Sequence, residues 1–245
     1  MNATHKPVAQ LINVSKVFRS GEQKTCAVND VSLDMFAGEM VVLLGPSGSG
    51  KTTLLTTLAG LIQPTSGTVM LFGRAYTTYT QADLQHLRAA RIGFVFQTFM
   101  LIDALTVEQN ISIVTSFVRG QRNGVRDEIL ELLRHLNIAH LATKHPAELS
   151  QGEKQRVAIA RAVINKPDLI IADEPTASVD TANGTEIIRL LYSFAKESGK
   201  CVLITSHDQR VVAFADRVVE MEDGRVRFSQ TPVAAAESYG VRCRQ

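Results

Sequence analysis

Gly45-Pro46-Ser47-Gly48-Ser49-Gly50-Lys51-Thr52 is the stretch whose reading decides the fold. It matches the phosphate-binding pattern G-x-x-x-x-G-K-[ST]. Its three glycines let backbone N–H groups converge on a polyphosphate without Cβ clashes. Lys51 would neutralise phosphate charge, and the Thr52 hydroxyl would ligate Mg²⁺. Just upstream, Met40-Val41-Val42-Leu43-Leu44 reads as a buried strand. Downstream, Leu54, Leu55, Leu58, Leu61 and Ile62 recur at helical spacing up to Pro64. Strand, glycine turn and helix bring a phosphate to a helix N-terminus, where open amides and the dipole favour an anion. Taken alone, the motif implies binding of a nucleoside triphosphate and nothing finer.

Working outward, Leu169-Ile170-Ile171-Ala172-Asp173-Glu174 is an apolar strand that ends in two carboxylates. Asp173 at the strand tip can hold Mg²⁺ opposite Thr52. Glu174, one residue on, can polarise an attacking water as general base. A solvated acidic turn is the bland alternative. His207 follows Ile204-Thr205-Ser206, again just past a buried strand. Ligands bind at the carboxyl ends of parallel strands, so His207 can hydrogen-bond a terminal phosphate. A purely structural histidine is the competing reading. Gln97 ends the strand-like run Ile92-Gly93-Phe94-Val95-Phe96, where its amide can touch Mg²⁺ or the attacking water.

The rest of the chain alternates strands and helices, which argues for an α/β parallel sheet. Residues 8–18 and 24–35 read as two strands around a turn at Ser20-Gly21, and residues 68–73 as another. Residues 217–228 read as a hairpin turning at Asp223-Gly224. The span from about 82 to 165 reads as a helical insertion in the sheet. One domain over 8–230 with a tail over 231–245 is expected.

The length of 245 residues suits one large domain or two small ones. Apolar content of 45% and charged content of 20% are those of an ordinary folded protein. The net charge of +2 gives no electrostatic reason to expect nucleic-acid binding. No apolar run has the length of a membrane span, and the N-terminus lacks the core of a signal peptide. Cys26, Cys201 and Cys243 are too few and too scattered for a disulfide framework. Cys201 opens an apolar run and reads as a buried thiol. A cytosolic location follows.

Leu149-Ser150-Gln151-Gly152-Glu153-Lys154-Gln155-Arg156 is a second candidate anion site. Ser150 and Glu153 have the spacing of a capping box. A helix starting at Ser150 and Gly152 offers open amides, although the nucleotide already has a loop of its own. A second such site suggests that the Ser150 end of one chain closes on the phosphate held by Lys51 of another.

The ordered set of residues 45–52, Gln97, 149–155, 168–174, Asp180 and His207 resembles the nucleotide-binding subunit of ATP-binding cassette (ABC) transporters, from about Leu11 to Phe228. The resemblance implies a P-loop NTPase parallel-sheet core with an N-terminal antiparallel β subdomain and an inserted α-helical subdomain. It implies ATP and Mg²⁺ as ligands. Phe18 would stack on adenine, at a position where the family more often has Tyr. Gly45, Pro46, Ser47, Gly48, Ser49, Gly50, Lys51, Thr52 and Thr53 would wrap the phosphates. Thr52, Gln97 and Asp173 would hold the metal. Glu174 would be the catalytic base, with His207 and Gln97 beside it. Ser150 and Gly152 would complete the opposite subunit's site, and Asp180 would lie at the dimer contact. Gln151 and Glu153 depart from the common L-S-G-G-Q signature. The implied partners are a second copy, head to tail, and an integral membrane permease. The implied place is the cytoplasm, peripheral on the inner face of the cell membrane.

Residues 27–33, 87–97 and 157–162 are similar to the lipoprotein-releasing and macrolide-exporter subfamily. An importer subunit, or a non-transport regulator of the cell-division type, would carry the same motifs. The apolar Phe99-Met100-Leu101-Ile102 segment reads equally as a docking surface or as local core.

Overall fold

The computed structural model describes residues 6–21, 23–119 and 124–230. Two sheets share the chain. The first is antiparallel, with order β2-β1-β4-β5: β1 (Ala9–Ser20), β2 (Gln23–Met35), β4 (Ser66–Leu71) and β5 (Arg74–Ala75). The second has six strands in the order β10-β9-β3-β8-β7-β6. Its strands are β3 (Met40–Leu44), β6 (Ile92–Val95), β7 (Leu169–Asp173), β8 (Cys201–Ser206), β9 (Arg217–Glu222) and β10 (Arg225–Gln230). All pairings in it are parallel except β9 with β10.

Alternation along the central strands explains why both faces of this sheet are covered. Val41, Leu43, Leu169, Ile171, Cys201 and Leu203 point into one core, which the antiparallel sheet and α1 (Lys51–Leu58) close. Met40, Val42, Ile170, Ala172, Val202 and Ile204 point into the other. There they meet α5 (Gln151–Val163) and α6 (Thr181–Lys196). Continuous apolar strands are what a parallel sheet buried on both faces requires. Burial pushes the Cys201 thiol up to about 12, so it packs as an inert side chain. Cys26 is exposed.

A third core joins α3 (Val107–Arg119), α4 (Val125–His135) and α5 through Val107, Ile111, Ile129, Leu133, Val157 and Ala160. Here the structure corrects the expected helical span of 82–165. α2 (Gln81–Arg91) buries Leu84 and Leu87 in the first core, and β6 pairs with β7 in the central sheet. The insertion proper therefore begins after Val95, and α5 serves both cores. The first helix is also shorter than its apolar spacing suggested. It stops at Leu58, Gly60 turns with φ +67°, and Leu61 is exposed. The expected 217–228 hairpin is present, with Asp223 and Gly224 both at positive φ as a tight two-residue turn demands. The expected tail and Cys243 lie outside the described residues.

Candidate nucleotide site

β3 delivers the chain to the loop, and α1 starts immediately after it. Gly50 is the N-cap of α1 at φ +100°, and a Cβ there would lie 2.0 Å from the Ala27 carbonyl. No side chain caps this helix, so its first-turn amides remain open. Ser49 is 5% exposed, and its hydroxyl has no hydrogen-bond partner among the described residues. A buried orphan hydroxyl beside open amides fits the oxygens of a phosphate.

Lys51 is 6% exposed. Its Nζ donates to the carbonyls of Gly45 at 2.7 Å and Pro46 at 3.0 Å, and stands 3.9 Å from Glu174 Oε1. A nearly buried cation held this way is positioned for an incoming anion. Thr52 is exposed at the start of α1, and Thr53 follows half-buried. The loop is fastened through Gly224, which is itself tied to β2. Gly224 N donates to Ser49 O at 3.0 Å, and Asn29 N donates to Gly224 O at 2.8 Å.

The tip of β7 sits beside that of β8. Buried Thr205 donates to Asp173 Oδ1 at 2.6 Å and accepts from Glu174 N at 2.9 Å. One hydroxyl thus sets both carboxylate residues. Asp173 Oδ2 has no partner among the described residues, and with the Thr52 hydroxyl it offers the hard oxygen donors that suit Mg²⁺. Glu174 adopts φ +47°, a backbone rare for a non-glycine residue and common at functional sites. Its Oε2 lies 2.9 Å from His207 Nδ1, and the imidazole is otherwise largely exposed. Thr205 was not singled out in the sequence. A lone threonine inside an apolar buried strand, next to a chemically charged strand tip, was the available signal.

The structure brings most of the expected residues together and leaves others apart. Gln97 follows β6, whose Val95 pairs with Ala172, so it emerges at the same sheet end as Asp173. It is exposed and makes no hydrogen bond among the described residues. Phe18 is 45% exposed on β1 and pairs with Thr25, two residues from the Ala27 carbonyl that abuts Gly50. Lys16 Nζ lies 5.2 Å from its ring centroid.

Ser150 and Gly152 stand at the N-terminus of α5, and no hydrogen bond joins Ser150 to the loop within the chain. Instead Ser150 is bound to its own helix. Glu153 Oε2 accepts from Ser150 N at 2.7 Å and from Ser150 Oγ at 2.8 Å, and Ser150 Oγ accepts from Glu153 N at 3.3 Å. Those bonds hold the Glu153 carboxyl below the usual carboxylate range. Gly152 faces Asn183, whose Cγ would lie 3.0 Å from an added Cβ. Asp180 caps α6 through the amides of Ala182 and Asn183.

A groove of about 530 Å³ opens between α2, α3 and the segment after β6. Leu61, Met100, Ile102 and Phe117 are exposed along it, with Arg88 and Arg161 as its charged lining. The Phe99–Ile102 question divides by residue: Leu101 packs on the third core, while Met100 and Ile102 face solvent. No helix among the described residues is long and apolar enough to cross a membrane.

The uncapped α1, the buried lysine and the carboxylate pair define a P-loop nucleoside triphosphatase. The family model described as ABC transporter matches residues 28–177. The chain belongs to that family, as an ATP-hydrolysing cassette. It is 39% identical over 217 residues to the macrolide export ATP-binding/permease protein MacB of Salmonella choleraesuis (strain SC-B67), covering 89% of this chain and 33% of MacB. It is 37% identical to HrtA of Staphylococcus haemolyticus (strain JCSC1435), named for hemin import, covering 89% of this chain and 99% of HrtA. The chain therefore spans about a third of MacB and nearly all of HrtA. Its fold is similar to the dimeric ATP-binding cassette MJ0796 in a post-hydrolysis state bound to ADP and Pi. That match has a TM-score of 0.86 and 36% identity, and covers 92% of this chain and 99% of that one.

Proposed function

We propose that this chain works as a head-to-tail pair in which each ATP is held by Lys51 of one copy and Ser150 and Gly152 of the other. The observation that carries this reading is that the site is half-built within one chain. The loop has open donors, a positioned lysine and a carboxylate, and among the described residues Ser150 makes no hydrogen bond to it. The dimeric, ADP- and Pi-bound state of the similar cassette supports it.

In this reading Phe18 stacks on the base, and residues 45–53 wrap the phosphates. Lys51 leaves its carbonyl partners for phosphate oxygens. Thr52, Asp173 and Gln97 would hold Mg²⁺, which when bound neutralises phosphate charge. Glu174 orients and deprotonates the attacking water, and His207 steadies both Glu174 and the terminal phosphate. Hydrolysis removes the anion shared by two chains, and the pair relaxes.

The pair drives a membrane permease that docks in the groove at Met100 and Ile102, from the cytoplasmic face of the membrane. We favour an export or lipoprotein-release type of machine, and MacB's name supports the export part of that reading. HrtA's name favours a second reading, import. A pull-down decides between them. Tagged Glu174→Gln, which should bind ATP without turning it over, is recovered from detergent-solubilised native membranes in ATP and Mg²⁺. Co-purification of a permease with few spans and a large extracytoplasmic domain is the expected result. A many-span permease with a solute-binding protein would mean import, and recovery of soluble partners alone would overturn membrane coupling.

A further inference from the structure

Phe99 and Met100 are consecutive bulky residues in the left-handed region, at φ +59° and +51°. L-residues adopt this backbone reluctantly, and two in succession persist only where the surroundings impose them. Phe99 N donates to Phe96 O at 3.2 Å and Met100 N to Thr98 O at 2.6 Å, and Arg161 of α5 holds the turn from outside. Its guanidinium donates to the Phe99 carbonyl at 2.6 Å and to the Met100 carbonyl. Arg161 makes no ion pair among the described residues, and burial depresses its pKa. A half-buried cation whose fork reaches two successive backbone carbonyls is placed to fix both of them. On the far side, fully buried Asn110 accepts from Ile102 N at 2.8 Å and donates to Ile102 O at 3.1 Å. The segment is thus clamped from α5 and from α3, with Met100 and Ile102 held out into the groove.

We propose that Arg161 is a positioning residue that ties the strained Phe99–Met100 turn to the helix carrying Ser150. α5 is suited to carry such a link. Ile159 and Val163 anchor it in the sheet core, and Val157 and Ala160 anchor it in the helical core. Arg161 and Ser150 stand about 16 Å apart along its axis, at 1.5 Å per residue. Gln97 lies two residues before Phe99, so the same clamp sets where that amide emerges. A displacement of the groove wall is therefore felt at Gln97 and at the Ser150 end together. The link to Ser150 rests on the cross-site reading above; the clamp on the turn does not.

The fork geometry of arginine is what the two carbonyls use, and lysine cannot reproduce it. The test compares purified parent, Arg161→Lys, Met100→Gly and the double variant. ATP affinity is measured on dilute protein, kcat and KM by ATP hydrolysis, and ATP-driven dimerisation in a Glu174→Gln background. Arg161→Lys should lower kcat about ten-fold while ATP affinity stays within about two-fold, because the phosphate loop is untouched. Glycine adopts the left-handed turn unaided, so adding Met100→Gly should restore most of the lost kcat. A thermal melt of each variant, with ATP affinity held within about two-fold, separates a general fold defect from loss of the clamp. Unchanged kcat in Arg161→Lys, a parallel loss of ATP affinity, or no recovery in the double variant would each overturn the proposal. Absence of an ATP-driven dimer in the Glu174→Gln parent would instead sink the cross-site reading, and the rescue pattern would still judge the clamp.

Discussion

Two helix N-termini in this molecule look alike in sequence and differ in what fills them. α1 opens after Gly50 with no side-chain cap, and a buried serine hydroxyl beside it lacks a partner among the described residues. α5 opens after Ser150, whose own N–H and hydroxyl both donate to the Glu153 carboxylate. The dipole favours an anion at both ends. At α1 the anion must come from outside, whereas at α5 the chain supplies its own carboxylate. A helix terminus is a site to the degree that the protein leaves it unsatisfied.

The difference can be broken most forcefully with a charge change at each end. Lys51→Ala should weaken ATP binding by about 100-fold, since a charge-assisted contact to phosphate is lost and its carbonyl partners are left bare. Ser150→Arg should leave ATP binding to the dilute monomer unchanged and abolish ATP-driven dimerisation. Equilibrium dialysis with light scattering separates the two. If Ser150→Arg weakened monomer binding as Lys51→Ala does, the two ends would not have distinct roles.

A smaller effect sharpens the contrast. For a phosphate to reach Ser150, Glu153 must give up its bonds. Glu153→Gln keeps a capping-box residue but removes the competing charge, which near a helix terminus is worth roughly 0.3–1 kcal/mol. ATP should then drive dimerisation at up to about five-fold lower protein concentration, read by sedimentation. An unchanged or weakened dimer would mean that the self-cap does not compete.

The smallest effect is on stability. Ser150→Ala removes an N-cap worth about 1 kcal/mol, which lowers Tm by about 2–4 °C in a domain of this size. The Glu153 contribution follows its lowered pKa. It is present above the ordinary carboxylate range and is lost as pH falls through the folded-state value. The Tm gap between parent and Ser150→Ala should therefore narrow on acidification below the ordinary carboxylate range, as Glu153 protonates.

What could be read from residues alone was whatever repeats with a short period or sits in a contiguous motif. The strand runs 40–44, 169–172 and 201–204 are apolar at every position because both faces are covered. The loop 45–52 states its turn and its chemistry in one stretch. What escaped was set by tertiary contact. The expected span of 82–165 took in α2 and β6, although residues 92–96 read as a strand. Only pairing of β6 with β7 assigns them to the sheet. Leu61 and Ile62 continued an apolar stripe that Gly60 ends. Thr205 gave little local sign of its role because its partners lie more than thirty residues away. Nothing around Phe99 and Met100 announces a left-handed turn, and the arginine that bonds both carbonyls lies 61 and 62 residues later.

The fastening of Ser49 by Gly224 has a consequence for how the protein is made. The loop near the start of the chain is pinned by a turn near the end of its described fold, and β3, which leads into that loop, lies between β8 and β9. Synthesis runs from the N-terminus at about 5–20 residues per second. A ribosome-bound chain that has shown its glycine motif to the cytoplasm still lacks both neighbours of β3 and the carbonyl that receives Asn29. The nascent cassette should remain blind to nucleotide until nearly all of it has emerged, and then acquire that competence in one late step.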